Sequence, residues 1–344
     1  MKSSILGENL LAIRPLFDEK LAAALNQSWN ALPKPTGSLG KLESLVVHYG
    51  LVRGTATPLA RRKGLVLFAA DHGVVHEGVT AGTQEETRNA VELFLRGGTA
   101  ANVLCRNTHT ETVVVDAGVR GAPILGTLDR KSGEGSQNFT KSAALTEQQL
   151  FNALETGIEL ATEFALRFDI VGLGQIGLGG GCSAAAILSA LSGRDAADCT
   201  ILEEGLEESL RDRRLQAVRS AVRSHQKESI TPLGVLRTLG GLDLAQMTGF
   251  LLGAARRRLP VMLDGFTAGS AAALARALAP DSPDAFLFSH VTPSRPHNYL
   301  LKFLSVEPLL DLQITEETGF GAALGLQLLD TALQLHAEIG APHR

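Results

Sequence analysis

Hydrophobic residues form five short continuous runs along the chain, and amphipathic segments of helical period separate them. Each run is largely apolar on both faces of an extended strand and ends in, or beside, a polar residue or a glycine. The runs cover residues 64–70, 112–115, 168–174, 259–265 and 285–290. Strands that are buried on both faces and joined by helices are typical of parallel sheets. The pattern therefore predicts an α/β fold with a mostly parallel, doubly wound sheet.

Both ends of the chain have helical patterns. Residues 8–30 place leucines and isoleucines at helical spacing, and Pro15 predicts a kink or a new helix start inside this segment. The segment from Thr318 onward is rich in glycine, alanine and leucine and also predicts a helix. The polar stretch 128–141 predicts a loop over the surface. The two terminal segments are candidates for a small helical domain.

Composition narrows the class of protein. The 344 residues are 44% hydrophobic, which excludes a wholly disordered chain. A net charge of −4 argues against a nucleic-acid partner. The 3 cysteines show no CxxC spacing, so neither a disulfide framework nor a zinc knuckle is expected. The charged N-terminus and the lack of a long apolar run predict no secretory signal and no membrane span. We expect a cytoplasmic protein.

Candidate chemistry lies where the strands end, because ligands of open parallel sheets bind at the carboxyl ends of the strands. Five clusters occupy such positions. They are Asp71-His72, Asp116, the glycine-rich segment 174–183, Asp264 and Ser289-His290. The glycine-rich segment leads into an alanine-rich helix, so its backbone N–H groups predict a phosphate site. The alternative is a turn selected for tight packing of strand and helix. The segment matches neither a Walker loop nor a complete dinucleotide fingerprint.

Each acidic candidate also has a structural interpretation. Asp71 and His72 are a candidate acid/base pair, but adjacent residues on an extended backbone point to opposite faces, so contact between them is not expected. The alternative is that Asp71 caps the loop while His72 packs. Asp264 is either a functional carboxylate or the N-cap of the next helix, and Asp116 has the same two interpretations. Glu316 and Glu317 suit a solvated helix start. His72 and His76 have HxxxH spacing in a predicted loop without the metalloprotease acid, so no metal and no cofactor are predicted.

Several motifs, in order along nearly the whole chain, resemble one family. They are the segments Lys34-Pro35-Thr36-Gly37-Ser38-Leu39-Gly40-Lys41-Leu42-Glu43, Ala70-Asp71-His72-Gly73-Val74, Glu77-Gly78-Val79-Thr80, Gly97-Gly98-Thr99-Ala100-Ala101-Asn102-Val103-Leu104, Val115-Asp116-Ala117-Gly118-Val119, Thr231-Pro232-Leu233, Leu239-Gly240-Gly241 and Pro260-Val261-Met262-Leu263-Asp264-Gly265-Phe266. The chain is identified by them as similar to the nicotinate-nucleotide:dimethylbenzimidazole phosphoribosyltransferase family of cobalamin biosynthesis.

The resemblance implies a Rossmann-like large domain of residues 33–295 and a small helical domain of residues 1–32 and 296–344. It also implies a dimer, which we expect to form through the helices around Gly97-Gly98. The implied reaction transfers phosphoribose from nicotinate mononucleotide to an aromatic base. Nicotinate and an α-riboside 5′-phosphate are the implied products, and a carboxylate that takes the proton of the incoming base is the implied catalyst.

The resemblance also implies a set of site residues. The implied substrate-binding residues are Asp71, His72, Thr80, Gln84, Gln175, Gly177, Gly179, Gly180, Gly181, Arg214, Asp264, Ser289 and His290. Arg214 takes the place of a phosphate-binding lysine. The family's base, a glutamate, aligns with Thr318, and Glu317 lies one residue before it. Further departures are Gln175 and Ser294 in place of glutamates, Gly180-Gly181-Cys182 in place of Asn-Thr-Thr, and Thr315 in place of a phosphate-binding arginine.

These departures leave three hypotheses open. In the first, the chain is the less catalytic subunit of a heterodimer with a homologous chain, as in the related two-subunit phenol/p-cresol phosphoribosyltransferase. In the second, it is an autonomous transferase in which Glu317 or Glu316 is the base. In the third, it is a non-catalytic nucleotide-binding homologue. The sequence favours neither dimethylbenzimidazole nor a phenol as the acceptor.

Overall fold

A parallel sheet lies at the centre of the molecule, which is described by a computed structural model covering residues 4–83, 85–202 and 205–340. The strands of these residues are β1 (Lys63–Ala70), β2 (Glu111–Gly118), β3 (Leu128–Asp129), β4 (Ile170–Ile176), β5 (Val261–Leu263) and β6 (Phe286–Phe288). Their order in the sheet is β3-β2-β1-β4-β5-β6, and each neighbouring pair is parallel. The predicted doubly wound parallel sheet is confirmed, and all five predicted strands are present.

Helices connect the strands and cover both faces of the sheet. The helices of the described residues are α1 (Ser4–Ala12), α2 (Glu19–Asn30), α3 (Lys41–Arg53), α4 (Glu85–Leu95), α5 (Ala100–Asn107), α6 (Glu147–Arg167), α7 (Gly180–Ser192), α8 (Ala196–Cys199), α9 (Glu208–Ser224), α10 (Pro232–Leu239), α11 (Leu242–Arg257), α12 (Gly265–Leu278), α13 (Arg295–Leu304) and α14 (Phe320–Glu338). No helix in this part of the chain is long and apolar enough to cross a bilayer.

The central strand β1 shows why the sheet is buried on both faces. All eight of its residues are buried. Val66, Phe68 and Ala70 pack into a core that includes α6, α11 and α12. Leu65, Leu67 and Ala69 pack into a second core on the other side, which includes α3, α5 and α14. Alternate side chains of an extended strand point to opposite faces, so a continuous apolar run is what two covered faces require.

Helices α2 and α14 meet on one side of the sheet, whereas α1 packs against α6 and α11 on the other side. The predicted break near Pro15 is confirmed, because α1 ends at Ala12 and α2 begins at Glu19. The Ser28 hydroxyl of α2 lies 2.7 Å from Nε2 of His336 in α14. Trp29 packs against the same imidazole, with 4.6 Å between the ring centroids. Helix α14 also packs against β4 and β5. The division of the chain into domains at residues 32/33 and 295/296 stays a prediction.

The polar segment 128–141 differs from the surface loop predicted for it. Leu128 and Asp129 form a short edge strand beside β2. Ser136 and Phe139 are buried. The Ser136 amide donates to the carbonyl of Asp71, which ties the segment to the end of β1. The segment has the composition of a loop. It is nevertheless held against the sheet, by the burial of the Phe139 ring and by the backbone hydrogen bond next to β1.

Helices α6 and α11 pack closely at Gly157, and replacing this residue by alanine is expected to destabilise the protein. An added Cβ would lie 2.1 Å from the carbonyl oxygen of Gln246 and 2.6 Å from the amide nitrogen of Phe250. Both are backbone atoms, so the helices must separate. We expect the free energy of unfolding in urea to fall by about 1–3 kcal/mol.

Gly7→Ala is the matched control for this prediction. Gly7 lies in α1, and no atom would lie within 4 Å of its added Cβ. Alanine at a helix position without a clash is expected to raise stability by up to about 1 kcal/mol. Equal losses in the two variants would contradict the close approach of α6 and α11.

Candidate active site

The carboxyl edge of the sheet brings the predicted strand-end residues together. Strands β1, β4, β5 and β6 are neighbours in this order. Asp71 and His72 follow β1, Gln175 is the second-last residue of β4, and Asp264 follows β5. All of them therefore lie along one edge of the molecule, where the helices α7 and α12 also begin.

His72 lies in a buried polar network. Its Nε2 is 3.0 Å from Oδ2 of Asp243, and its Nδ1 is 3.2 Å from the Ser183 hydroxyl. All three side chains are fully buried. Burial disfavours the charged imidazole, but the carboxylates of Asp243 and Asp71 outweigh burial and raise the pKa of His72. The ring is therefore packed in the interior against Asp243 and Ser183, as in the second of its two interpretations.

Gln175 is fixed by the same network. Its Nε2 donates to Oδ2 of Asp243 at 2.8 Å and to the carbonyl of Gly177 at 3.1 Å. Both partners only accept hydrogen bonds, so the amide nitrogen must face them. A glutamate here would place a second carboxylate against Asp243. The glutamine amide is thus matched to the carboxylate of Asp243, a residue that the sequence motifs did not single out.

The glycine-rich segment forms the start of α7. Gly179 has a φ of +89° and is the residue before the helix. At Gly177 an added Cβ would lie 2.2 Å from the carbonyl oxygen of Ala70, so the close approach to β1 requires glycine. The first turn of α7 therefore presents its backbone N–H groups next to the sheet edge, which is a favourable place for an anion.

A cavity of about 170 Å³ opens at the start of α7. Its lining includes Thr80, Gly181 and Arg214. The Arg214 guanidinium, on α9, is held there by the carbonyls of Val79, at 2.9 Å from Nε, and of Ile201, at 3.2 Å from Nη1. A helix N-terminus and a guanidinium lining one cavity are the elements of a phosphate site.

Two carboxylates exchange helix caps at the other end of the edge. Asp264 precedes α12, but its oxygens accept from the amides of Gly319, at 2.7 Å, and Ala322, at 3.0 Å, at the start of α14. Glu317 precedes α14, and its Oε1 accepts from the amide of Phe266 at the start of α12, at 3.0 Å. Each acid thus caps the helix that follows the other: Asp264 occupies the N-cap position of α12, but its side chain makes no capping hydrogen bond there.

The environment of Asp264 disfavours its charge. Burial, together with the nearby carboxylates of Glu317 and Glu316, outweighs the two amide hydrogen bonds and raises the pKa of Asp264 to about 7. His290 lies beside it, with its Nδ1 4.0 Å from Oδ1 of Asp264 and 2.9 Å from the Ser289 hydroxyl. Burial lowers the pKa of His290 to about 4, so its ring is neutral at pH 7.

The turn before α14 carries Glu317 to the end of β4. An added Cβ at Gly174 of β4 would lie 3.0 Å from the amide nitrogen of Gly319. Glu317 is partly buried, whereas the carboxylate of Glu316 is turned back to the amide of Thr318, at 3.1 Å, and is exposed. Of the two glutamates, Glu317 therefore faces the sheet edge.

The remaining predicted residues have structural contacts of their own. Asp71 accepts from the Arg120 amide at 2.8 Å and shapes the loop after β2. Asp116 accepts from the amides of Gly118 and Val119 in the same loop. Ser289 donates to the carbonyl of Leu263 at 2.6 Å. Gln84 lies outside the described residues. The roles assigned to the site residues in substrate binding stay predictions.

The fold and the site define a class: a parallel α/β protein with a cavity at a helix N-terminus and a carboxylate pair at the carboxyl edge of its sheet. Comparison with known proteins identifies the family. A family model described as phosphoribosyltransferase matches residues 14–342. The nicotinate-nucleotide–dimethylbenzimidazole phosphoribosyltransferase of Chlorobium chlorochromatii is 36% identical over 337 residues, which cover 96% of this chain and 95% of that protein.

Other relatives agree with this assignment. The protein of the same name from Ralstonia nicotianae is 36% identical over 330 residues, with 94% of this chain and 92% of the relative covered. The crystal structure of CobT from Thermus thermophilus superposes with a TM-score of 0.87 at 32% identity and covers 94% of this chain and 99% of its own. The chain belongs to the nicotinate-nucleotide–dimethylbenzimidazole phosphoribosyltransferase family, and the predicted resemblance is confirmed.

Proposed function

We propose that this chain transfers the phosphoribosyl group of nicotinate mononucleotide to an aromatic base that becomes the lower ligand of a cobamide. The relatives are named for nicotinate nucleotide and dimethylbenzimidazole as substrates. One observation carries the catalytic part of the proposal, namely the position of the Glu317 carboxylate at the sheet edge, on the amide of Phe266. The products are nicotinate and an α-riboside 5′-phosphate.

The proposed reaction separates charge at the ribose. The bond from C1 to the pyridinium nitrogen breaks, and its electron pair leaves with nicotinate. The ribose becomes oxocarbenium-like, and the nitrogen of the incoming base attacks C1 from the opposite face, which inverts the anomeric centre. The N–H proton of the base passes to a carboxylate, for which we propose Glu317. Thr318 cannot take this proton near neutral pH.

The phosphate is assigned to the cavity at the start of α7. Gly179, Gly180 and Gly181 supply the helix N-terminus, and Arg214 supplies the positive charge. The lack of a side chain at Gly181 leaves its amide accessible from the cavity, whereas the amides of Gly180 and Cys182 donate to the carbonyls of Gly177 and Gly179. Thr80 and Gln175, which are partly exposed, are proposed to form walls for the ribose and the bases, and the buried His72 is proposed to support Gln175 through Asp243.

Arg214→Ala is expected to weaken binding of nicotinate mononucleotide by about 10- to 100-fold, because a hydrogen bond to a charged group contributes roughly 1.5–3 kcal/mol. Titration calorimetry measures the dissociation constant. Arg213→Ala is the matched control, since Arg213 also binds a carbonyl, that of Gly78, at 2.8 Å. Unchanged affinity of Arg214→Ala would refute the assignment of the phosphate.

A second candidate is the less catalytic subunit of a heterodimer with a homologous chain. Thr318 favours it, since the base of the resembling family, a glutamate, aligns with this position and a hydroxyl cannot take the proton near neutral pH. The non-catalytic homologue is a third candidate. Nicotinate release by this chain with dimethylbenzimidazole and with phenol separates them: turnover by the chain alone supports autonomy, and turnover only with a partner chain supports the heterodimer.

We also propose that a second chain covers α4 and α5, as the predicted dimer requires. Leu93 of α4 and Val103 of α5 are each 48% exposed, and Gly98 between the helices packs on Leu93. Large exposed apolar side chains in proximity favour association. Light scattering that shows a monomer at micromolar concentration, without a co-purifying partner, would contradict the dimer.

A further inference from the structure

A second cavity of about 570 Å³ lies at the far end of α7 from the candidate phosphate site. The end of α7, the turn before α8 and one face of α9 line it, and it is open to solvent. Its polar lining consists mainly of Arg194, Arg219, Arg223, Ser189, Gln226 and Ser229. We propose that this cavity binds a small phosphorylated ligand that carries at least two negative charges.

The charge of the lining is opposite to that of the chain. The protein has a net charge of −4, yet three arginines and only one carboxylate, Asp195, line this cavity among the residues that the structure describes. Arg219 Nη2 lies 3.5 Å from Oδ1 of Asp195. Within the same described ranges, Arg223 has no ion-pair partner. An anion with two charges would balance the excess.

Arg219 and Arg223 are one turn apart on α9, so their side chains lie on the same helix face. Like charges at this spacing destabilise a helix, and a bound anion removes the penalty. The dipole of α9 favours a cation in its last turn, which accounts for Arg223 but not for Arg219 or for Arg194 across the cavity. Two guanidinium groups that lie one helical turn apart can each bind one phosphate group of a ligand that has two.

Arg194 is held in place on the opposite wall. Its guanidinium carbon lies 4.4 Å from the centroid of the Tyr299 ring, and its carbonyl accepts from the Ser189 hydroxyl at 2.7 Å. Tyr299 is also contacted by Arg295, which pairs with Asp198 at 2.8 Å. Stacking leaves the N–H edges of a guanidinium able to donate. The wall is therefore preorganised for an anion.

This site is separate from the proposed catalytic cavity and does not depend on it. Helix α7 contributes Gly181 to the first cavity and Ser189 to the second, while α9 contributes Arg214 and Arg219, respectively. The Arg214→Ala variant therefore isolates the second site, because it weakens the first one alone.

Titration calorimetry with inorganic pyrophosphate, in the Arg214→Ala background, tests the proposal. We expect binding, and we expect the added pair Arg219→Gln and Arg223→Gln to weaken it about tenfold or more, since charged hydrogen bonds are lost. Arg211→Gln, an exposed position on α9 outside the cavity, is the control. Absence of binding, or equal loss in the control, would overturn the proposal.

A variant that is expected to strengthen pyrophosphate binding provides a second test, which remains available if the double variant does not fold. Asp195→Asn removes the one carboxylate of the described lining, so pyrophosphate is expected to bind several-fold more tightly. Unchanged or weaker binding by Asp195→Asn would overturn the proposal, and circular dichroism establishes that each variant is folded.

Discussion

Replacing Glu317 by glutamine is expected to lower kcat by about 10²–10⁴-fold, the range typical for loss of a general base. The amide keeps the size of the side chain, and its oxygen still accepts from the Phe266 amide, which lies 3.0 Å from Oε1 in the parent. The start of α12 therefore stays capped, and only the capacity to take a proton is removed. Steady-state release of nicotinate measures the effect.

Glu316→Gln is the control, because this neighbour is exposed and its carboxylate accepts from the Thr318 amide in its own turn. We expect its kcat to stay within about twofold of the parent, since surface changes away from a site are usually small. A loss in Glu316→Gln that equals the loss in Glu317→Gln would assign both residues to the turn rather than to proton transfer.

Asp264→Ala is expected to lower the free energy of unfolding by about 2–5 kcal/mol, because two buried N–H groups lose their acceptor and each costs about 1–3 kcal/mol. The Asp264 side chain is buried and accepts from the amides of Gly319 and Ala322. Because these amides hold the turn that carries Glu317, kcat is expected to fall as well. Urea titration measures the loss. Asp264→Asn keeps one acceptor and is expected to lose less stability.

The pH dependence of stability gives a second readout on Asp264. Burial raises its pKa in the folded protein from 3.8 to about 7. The unfolded chain therefore releases this proton first, and the native state loses relative stability as the pH rises from about 4 to about 7. At about 1.36 kcal/mol per pKa unit, the loss amounts to roughly 4 kcal/mol. Urea titrations at several pH values should show this slope in the parent and not in Asp264→Asn; equal slopes would contradict the raised pKa.

The strands could be predicted from local patterns, because a strand that is buried on both faces has to be a continuous run of apolar residues. The apolar run 64–70 coincides with β1 within one residue. Strand β3 could not be predicted, since its two residues, Leu128 and Asp129, form a strand only by pairing with β2. Two residues are too few to show the alternating hydrophobic pattern by which a strand is recognised.

The contacts inside the site depend on tertiary structure and were only partly predictable. A strand-end aspartate before a helix indicates an N-cap, yet Asp264 caps α14, which lies more than fifty residues further along the chain. Asp243 gave no local signal beyond an acid in the first turn of a helix, and its burial beside His72 makes it central to the network. Such pairings are decided by which helices meet, not by spacing along the chain.

The role of Gln175 differs between the sequence and the structure. By resemblance alone, Gln175 replaces a glutamate of the family and a carboxylate is lost. In the structure its amide nitrogen is the hydrogen-bond donor that a buried Asp243 carboxylate needs. The network is thus internally satisfied with glutamine, which supports an intact pocket rather than a degraded one.

Release of nicotinate from nicotinate mononucleotide by the purified chain alone, with dimethylbenzimidazole as acceptor, tests the proposed autonomous transferase most directly. The Glu317→Gln variant is assayed beside the parent at the same concentration. We predict many turnovers per chain for the parent and a loss of about 10²–10⁴-fold for the variant. Absence of turnover by the parent until a homologous chain is added, with no further effect of Glu317→Gln, would contradict the proposal.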